Sequence, residues 1–272
     1  MGEDQRSRER LRHHYEVEKE LGDRMRASSR EERTELFSRL YDELFERVPD
    51  HPRLVRRETP DESRRSVEAR MAILAPHLGA EKTLVEIAPG DCRLSYEACQ
   101  HVKKVIGVDI SDQRATSEAV PPNFELMVYD GYELDVEPGS ADVAFSYQFL
   151  EHLHPDDVPL HLGLVHRVLK PGGCYIFDTP HAYSGPHDIS RHFSDTPQGF
   201  HLKEWTYREM FAALREAGFS RSFTYRRRKA RMSPVFNGLT LALEAGVGCL
   251  PRSLTGVLRN RLFLGVTMIA IR

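Results

Sequence analysis

The fold is decided by one stretch of the chain, Thr83-Leu-Val-Glu-Ile-Ala-Pro-Gly-Asp-Cys-Arg-Leu94. The apolar run Leu84-Val-Glu-Ile87 is typical of a buried strand, and the following Ala88-Pro-Gly-Asp91 supplies turn residues. From Leu94 onward the apolar residues recur with a helical spacing. The stretch therefore predicts a strand, a tight loop and a helix.

The charges around this loop indicate which cofactor it binds. A dinucleotide site needs Gly-x-Gly-x-x-Gly for a pyrophosphate, whereas this loop has one glycine, Gly90, and carries Glu86 and Asp91. These carboxylates would repel a pyrophosphate but suit a cofactor with an ammonium and a sulfonium. Asp109, which ends the next apolar run, can accept hydrogen bonds from both hydroxyls of a ribose. The residues favour S-adenosylmethionine over NAD.

Downstream motifs follow in a consistent order. A predicted third strand precedes Asp130, and the later runs are Asp142-Val-Ala-Phe-Ser146, Leu150-Glu-His-Leu-His154 and Leu169-Lys-Pro-Gly-Gly-Cys-Tyr-Ile-Phe-Asp178. With these motifs, residues 65–228 and the terminal strand resemble the class I S-adenosylmethionine-dependent methyltransferases. The resemblance implies an α/β fold, a Rossmann-like seven-stranded, mostly parallel sheet with helices on both faces.

The resemblance also implies the cofactor contacts. By position, the cofactor-binding residues would be Glu86, Ala88, Gly90, Asp109, Ile110, Asp130, Gly131, Gln148 and Phe149. Among them, Asp130 would face the adenine amino group, and Gln148 and Phe149 would flank the sulfonium. Ala88 and Cys92 stand where the family usually has glycine, which could reduce the affinity for the cofactor or reshape the loop.

Two segments lie outside the common fold. Residues 1–62 contain an apolar stripe from Leu36 to Phe45 that predicts an amphipathic helix, and form a helical extension to the methyltransferase domain of residues 63–272. This extension is either a lid over the cleft, as the resemblance suggests, or a helix packed on the sheet or a partner subunit. Residues 229–262 form a helical insertion before the last strand, beside a basic cluster at 226–231. The insertion is a capping element or an oligomer contact, or it contacts a membrane or a greasy substrate.

The segment from Thr179 to Trp205 is the predicted acceptor loop, because it follows the fifth strand at the carboxyl edge of the sheet. It is rich in histidine, whose imidazole can take a proton from a hydroxyl near neutral pH. The candidate bases are His181, His187, His192 and His201, and Asp188 is the candidate orienting group.

A divalent metal is the alternative explanation for this histidine-rich region. The candidate ligands are Glu151, His152, His154, His187, Asp188 and His192. No close spacing such as His-Glu-x-x-His joins them, so we expect no metal site. The resemblance implies that Leu150-Glu-His-Leu153 shapes the entry to a helix, which gives Glu151 and His152 structural roles.

Composition limits the partners. The 272 residues, 40% of them hydrophobic, are enough for one main domain with appendages. A formal net charge of −3 gives no general attraction to nucleic acid, and no run of apolar residues is long enough to cross a bilayer, although peripheral membrane contact stays open. Four cysteines without a metal or disulfide pattern, and no signal peptide, predict a cytoplasmic protein. Both a monomer and a homodimer fit the sequence.

The predicted function is methyl transfer from S-adenosylmethionine to an oxygen of a small-molecule acceptor, such as a natural product, a sugar or a lipid-like compound, by direct in-line displacement. Ser146-Tyr-Gln-Phe149 replaces the Asn/Asp-Pro-Pro-Tyr/Phe motif, which argues against methylation of amino groups in nucleic-acid bases or glutamine. The alternatives are an RNA or protein methyltransferase that uses the basic cluster, and a methyltransferase-like domain that binds without turnover.

Overall fold

A central β-sheet organises the protein. The computed structural model describes residues 6–55, 59–114, 119–226, 229–230 and 232–272. Within them the strands are β1 (Thr83–Ile87), β2 (Lys104–Asp109), β3 (Phe124–Val128), β4 (Ala141–Tyr147), β5 (Leu169–Pro180), β6 (Arg221–Arg226), β7 (Lys229–Ala230) and β8 (Gly265–Ile271). Their order in the sheet is β3-β2-β1-β4-β5-β8-β6-β7.

The strand directions match the predicted fold. The five strands β3, β2, β1, β4 and β5 are parallel to one another. β8 lies between β5 and β6 and is antiparallel to both. The two-residue β7 extends the predicted seven strands by a short hairpin with β6. The chain reverses its direction of travel across the sheet between β1 and β4, so the carboxyl ends of these strands form the crevice where such sheets bind ligands.

Helices cover both faces of the sheet. They are α1 (Arg8–Ala27), α2 (Arg30–Arg47), α3 (Pro52–Val55), α4 (Pro60–Leu74), α5 (Arg93–Ala98), α6 (Val158–Val168), α7 (Tyr207–Glu216), α8 (Pro234–Gly248) and α9 (Arg252–Leu262). Alternation along each strand directs neighbours to opposite faces, so Val85 packs with the α6 and α7 side chains and Leu84 packs with those of α4 and α5. Short 3₁₀ turns lie at Ala75–His77, Leu150–His152, Pro155–Asp157 and Ile189–His192.

The N-terminal extension is an antiparallel helix pair. The predicted stripe lies on α2, which begins after the capping residue Ser29, whereas α1 was not singled out from the sequence. The pair has its own apolar cluster, which includes Leu21 and Leu44 and also Phe200 and Leu202 of the acceptor loop. The extension therefore packs on the loop that follows β5. The boundary expected at residue 62 lies inside α4.

The insertion before the last strand consists of α8 and α9. Glu244 of α8 is buried and accepts hydrogen bonds from the backbone N–H groups of Tyr207 and Arg208 at the start of α7. The outer surface is apolar, with exposed side chains at Val235, Phe236, Leu239, Leu243, Leu250, Leu254, Val257 and Leu258. Within the described ranges, no helix is both long and apolar enough to span a membrane. The side chains of residues 226–229 and residue 231, which make up most of the predicted basic cluster, lie outside the described residues.

Candidate active site

The loop after β1 has the backbone of a glycine-rich loop. Ala88, Gly90 and Cys92 have φ angles of 53°, 58° and 61°, so all three occupy the left-handed region that favours glycine. The two departures from the family motif therefore leave the backbone in the left-handed conformation. They cost conformational strain of about 1–2 kcal/mol each.

Two carboxylates lie under this loop. Asp109, at the end of β2, accepts hydrogen bonds from the backbone N–H groups of Gly90 at 3.2 Å and Ile110 at 2.7 Å. Burial raises the pKa of Asp109, and these hydrogen bonds oppose that rise. Glu86 is turned inward and accepts a hydrogen bond from Ser95 Oγ at 2.5 Å, and burial raises its pKa to about 7. Glu86 is therefore buried and bonded to the first turn of α5, and its contact with the methionine part of the cofactor stays a prediction.

The predicted adenine end lies between β3 and the N-terminal extension. Asp130 Oδ1 accepts hydrogen bonds from the backbone N–H groups of Tyr132 and Glu133, at 2.8 and 2.7 Å. Gly131 has a φ angle of 92°, and a side chain there would approach the ring of Phe37 on α2. Helix α2 therefore borders the turn in which Asp130 and Gly131 lie.

The predicted sulfonium end follows β4. Gln148 has a φ angle of 53°, donates its backbone N–H to Asp178 O at 2.8 Å, and donates its side-chain amide to Asp178 Oδ1 at 2.7 Å. These bonds join the carboxyl ends of β4 and β5. Phe149 is partly buried and packs edge-to-face against His161, with the ring centroids 5.1 Å apart.

A cavity of about 650 Å³ opens beside Gln148. Its wall comes from the turn after β4, the acceptor loop, and α9, and it includes His187, His201 and the buried Glu151. Arg53, Arg191 and Arg252 also line it. The predicted acceptor loop thus forms one wall of a cavity that starts at the predicted sulfonium end.

Glu204 holds two of the candidate bases. One carboxylate oxygen lies 2.9 Å from His201 Nδ1, and the other lies 3.2 Å from His187 Nδ1. Burial alone would raise the pKa of Glu204, but the hydrogen bonds from both histidines lower it to about 2. For His201 the directions are reversed. Burial lowers its pKa, but the hydrogen bond with Glu204 and the nearby carboxylates produce a net rise. The orienting carboxylate is Glu204, which was not predicted, although His201-Leu-Lys-Glu204 is a short spacing that could have indicated it.

Three other predicted residues occupy different positions. His181 is fully buried, with Nε2 2.8 Å from Glu244 Oε1 and Nδ1 accepting from the backbone N–H of Tyr183, so it offers no nitrogen to an acceptor. His192 is exposed, and its ring contacts Arg191. Asp188 accepts hydrogen bonds from Ser190 and Gly199 backbone N–H groups and shapes the loop without orienting a histidine. We correct the roles predicted for His181 and Asp188 accordingly.

A buried ion pair attaches the extension beside this site. Arg33 of α2 donates from Nε and Nη2 to the two oxygens of Asp157, at 2.7 and 2.9 Å, and Tyr132 OH donates to Asp157 Oδ2 at 2.8 Å. Desolvation alone would raise the pKa of Asp157, but its bonds with Arg33 and Tyr132 lower it. This bridge was not predicted, because its residues are distant in the sequence.

The comparisons with known proteins agree with this geometry. Residues 85–177 match the model of a family described as "Methyltransferase domain". The chain is 31% identical over 122 residues to a probable S-adenosylmethionine-dependent methyltransferase of Mycolicibacterium smegmatis, covering 43% of this chain and 44% of that protein. It is 29% identical over 133 residues to phosphoethanolamine N-methyltransferase 1 of Triticum aestivum, covering 46% of this chain and 26% of that protein. The matched regions thus span less than half the length of each relative.

Solved structures share the fold at low sequence identity. A methyltransferase from Archaeoglobus fulgidus superimposes with a TM-score of 0.52 at 19% identity, covering 77% of this chain and 94% of that one. Phosphoethanolamine N-methyltransferase 1 of Haemonchus contortus, solved with phosphoethanolamine and S-adenosylhomocysteine, also gives 0.52 at 17% identity, covering 68% of this chain and 40% of that one. The strand order, the loop after β1 and the carboxylate after β2 agree with the family match, so residues 85–177 form a methyltransferase domain within a sheet that has the class I S-adenosylmethionine-dependent methyltransferase fold.

Proposed function

We propose that this protein transfers the methyl group of S-adenosylmethionine to an oxygen of a small, anionic acceptor bound in the cavity beside Gln148. The observation that carries the proposal is the continuity of the site: Gln148, at the predicted sulfonium end, and His187 and His201 of the acceptor loop line the same cavity. In-line displacement needs chiefly a nucleophile held close to the methyl group, and a shared cavity supplies that placement.

His187 is the proposed general base. Its Nδ1 lies 3.2 Å from Glu204, its Nε2 lies 3.1 Å from Ser184 Oγ in the cavity wall, and 28% of its side chain is exposed. If Nδ1–H donates to Glu204, an acceptor hydroxyl that takes the place of Ser184 Oγ meets a basic Nε2. As the acceptor oxygen attacks, the oxygen–carbon bond forms and the carbon–sulfur bond breaks. The hydroxyl proton goes to His187, and S-adenosylhomocysteine leaves as a neutral thioether.

The charge of the cavity supports an anionic acceptor. Arg53, Arg191 and Arg252 line it together with the acids Glu151 and Asp195, and Arg252 lies 3.8 Å from Asp195 Oδ1. Among the described residues, neither Arg53 nor Arg191 forms an ion pair with a carboxylate. Arginine in a cavity wall suits carboxylate or phosphate recognition. The relatives named for phosphoethanolamine also act on a phosphorylated acceptor by name, although at nitrogen. Nitrogen is therefore the second candidate acceptor atom, and it needs little help from a base.

The other two alternatives make different predictions. An RNA acceptor requires binding that weakens steeply with salt, because phosphate contacts release counterions. A protein that only binds the cofactor requires affinity without turnover. The strained residues Ala88 and Cys92 are the feature that favours this second alternative, since they could weaken the hold on the cofactor.

The test combines cofactor titration with an acceptor screen. We expect calorimetry to show S-adenosylmethionine binding to the wild type but not to Asp109→Ala, and S-adenosylhomocysteine to accumulate with phosphorylated or carboxylated hydroxy compounds. His187→Ala is expected to lower turnover by about 100-fold or more at unchanged cofactor affinity, with His192→Ala as the matched histidine control. Cofactor binding without turnover on hydroxylated, amine, RNA or peptide acceptors would refute the proposal. Equal rates in His187→Ala and the wild type would remove His187 as the base.

A further inference from the structure

Three side chains in the wall of the cavity converge with unused donor atoms. Glu151 and His152 lie in the turn after β4, and His201 lies on the acceptor loop. One ligating atom from each residue lies within 4.8 Å of those of the other two. The backbone fixes this approach, because the carbonyl of Glu151 accepts hydrogen bonds from the N–H groups of Leu202 and Lys203.

The donor atoms are left open by a second layer of hydrogen bonds. Glu151 Oε2 accepts a hydrogen bond from Thr179 Oγ1 at 3.0 Å, while Oε1 is buried without a hydrogen-bond partner. His152 Nδ1 lies 3.0 Å from the carbonyl oxygen of Phe200, and His201 Nδ1 lies 2.9 Å from Glu204 Oε1. Histidines that donate from Nδ1 in this way present the lone pair of Nε2, which is the arrangement that orients histidine ligands around a metal.

We infer that Glu151, His152 and His201 form a binding site for a divalent transition-metal ion. A carboxylate and two imidazoles suit ions such as Mn²⁺, Fe²⁺, Co²⁺ or Zn²⁺. Metal bonds of about 2.0–2.2 Å require the three donor atoms to move together by about 1 Å. The buried oxygen of Glu151 that has no hydrogen-bond partner gives a reason for the site, since leaving a polar atom buried without a partner is costly.

A second cluster of ionisable residues leaves no carboxylate oxygen open. His14, Glu18 and His51 also lie within ligating distance of one another. However, one oxygen of Glu18 lies 2.7 Å from His14 Nε2, and the other accepts a hydrogen bond from the backbone N–H of Phe200. The bond to Phe200 fastens α1 to the acceptor loop, so we assign this cluster a structural role.

The position of the proposed ion indicates its role. It would lie in the wall of the acceptor cavity with coordination positions open, as in catalytic sites that have three protein ligands. A hydroxyl bound there loses its proton more easily, and the positive Arg53, which lines the same cavity, adds attraction for an anionic acceptor. This role rests on the proposed methyl transfer, whereas binding of the ion does not.

Co²⁺ is the probe, added to the full-length protein without cofactor or acceptor. We expect one ion per chain, with the visible absorption of Co²⁺ bound by nitrogen and oxygen, and loss of the signal in Glu151→Gln and His201→Ala. Glu204→Gln changes the carboxylate that supports His201 and His187 but no proposed ligand atom, and it should weaken Co²⁺ binding by about 10-fold. His192→Ala, on the same loop, and His14→Ala, in the other cluster, should bind as the wild type.

Two outcomes would overturn the inference. One is a wild type that binds no Co²⁺, and the other is a signal that survives both Glu151→Gln and His201→Ala. Undiminished S-adenosylmethionine binding by these two variants would show that they are folded. Since Co²⁺ binding is read without turnover, a failed acceptor screen leaves this result independent.

Discussion

Replacing Arg33 with methionine should weaken the attachment of the N-terminal extension and lower the free energy of unfolding. Arg33 and Asp157 each expose 5% of their side chains, so the substitution leaves a buried carboxylate without its bidentate partner. Removing one member of a buried pair costs about 3–5 kcal/mol. Tyr132 OH still donates to Asp157, and the half-exposed Arg30 lies 3.5 Å from Asp157 Oδ1, so we expect the low end, about 3 kcal/mol.

The effect should depend on pH with a defined sign. The pKa of Asp157 is lowered in the folded protein, so its contribution is present above the pKa of an unfolded aspartate and is lost as the pH falls. The difference in the free energy of unfolding between the wild type and Arg33→Met should therefore be full at pH 7 and shrink below about pH 4.

Urea unfolding followed by circular dichroism measures this difference, by linear extrapolation at each pH. Arg24→Met is the matched control, because Arg24 and Glu43 also lie 2.7 Å apart but expose 45% and 32% of their side chains. An exposed pair contributes about 0.2–1 kcal/mol. A loss for Arg33→Met no larger than that for Arg24→Met would refute the argument that this bridge holds the extension.

Three further outcomes are expected. Ala88→Gly relieves a left-handed alanine, and after the entropic cost of glycine it should raise the free energy of unfolding by about 0.5–1 kcal/mol in the same urea assay. Glu204→Gln should lower the free energy of unfolding at pH 7 by about 3 kcal/mol, because the pKa of Glu204 is lowered from 4.5 to about 2 in the folded protein. The difference in this free energy between the wild type and Glu204→Gln should decrease as the pH falls from 5 to 2. If the apolar face of α8 and α9 contacts membranes, sedimentation with anionic phosphatidylglycerol vesicles should carry the wild type down, and the double variant Leu254→Glu and Val257→Glu should bind at least about 10-fold more weakly. Equal sedimentation of the two proteins would exclude this face.

The fold was predictable because its information is local. Alternation in Leu84-Val-Glu-Ile87, the turn residues after it, and Lys170-Pro-Gly-Gly173 mark elements whose order implies the sheet. The additional hairpin strand β7 was not predicted, because two residues leave no periodic signal.

The site was predictable only in part, because its parts meet through tertiary packing. Asp109 and Gly90 follow from the motif, whereas the hydrogen bond between them was not predicted. Which carboxylate pairs with a histidine depends on how the loop folds. Asp188 was predicted to orient a histidine, but it accepts a hydrogen bond from the backbone N–H of Gly199, and Glu204 is the residue that contacts His187 and His201. The bond between Ser95 and Glu86 was not predicted, because residue type alone does not show which neighbour a buried carboxylate contacts.

Groups from outside the acceptor loop hold its backbone through hydrogen bonds. Glu18 of α1 accepts the backbone N–H of Phe200, and the carbonyl of Glu151 accepts that of Leu202. Arg26 of α1 donates to the carbonyls of Gln198 and Gly199. The segment 198–202 therefore contains His201 and also makes these hydrogen bonds with α1. For this reason we expect changes in the extension to act on acceptor binding before they act on the cofactor, since the loop after β1 makes its bonds with β2 and α5 instead.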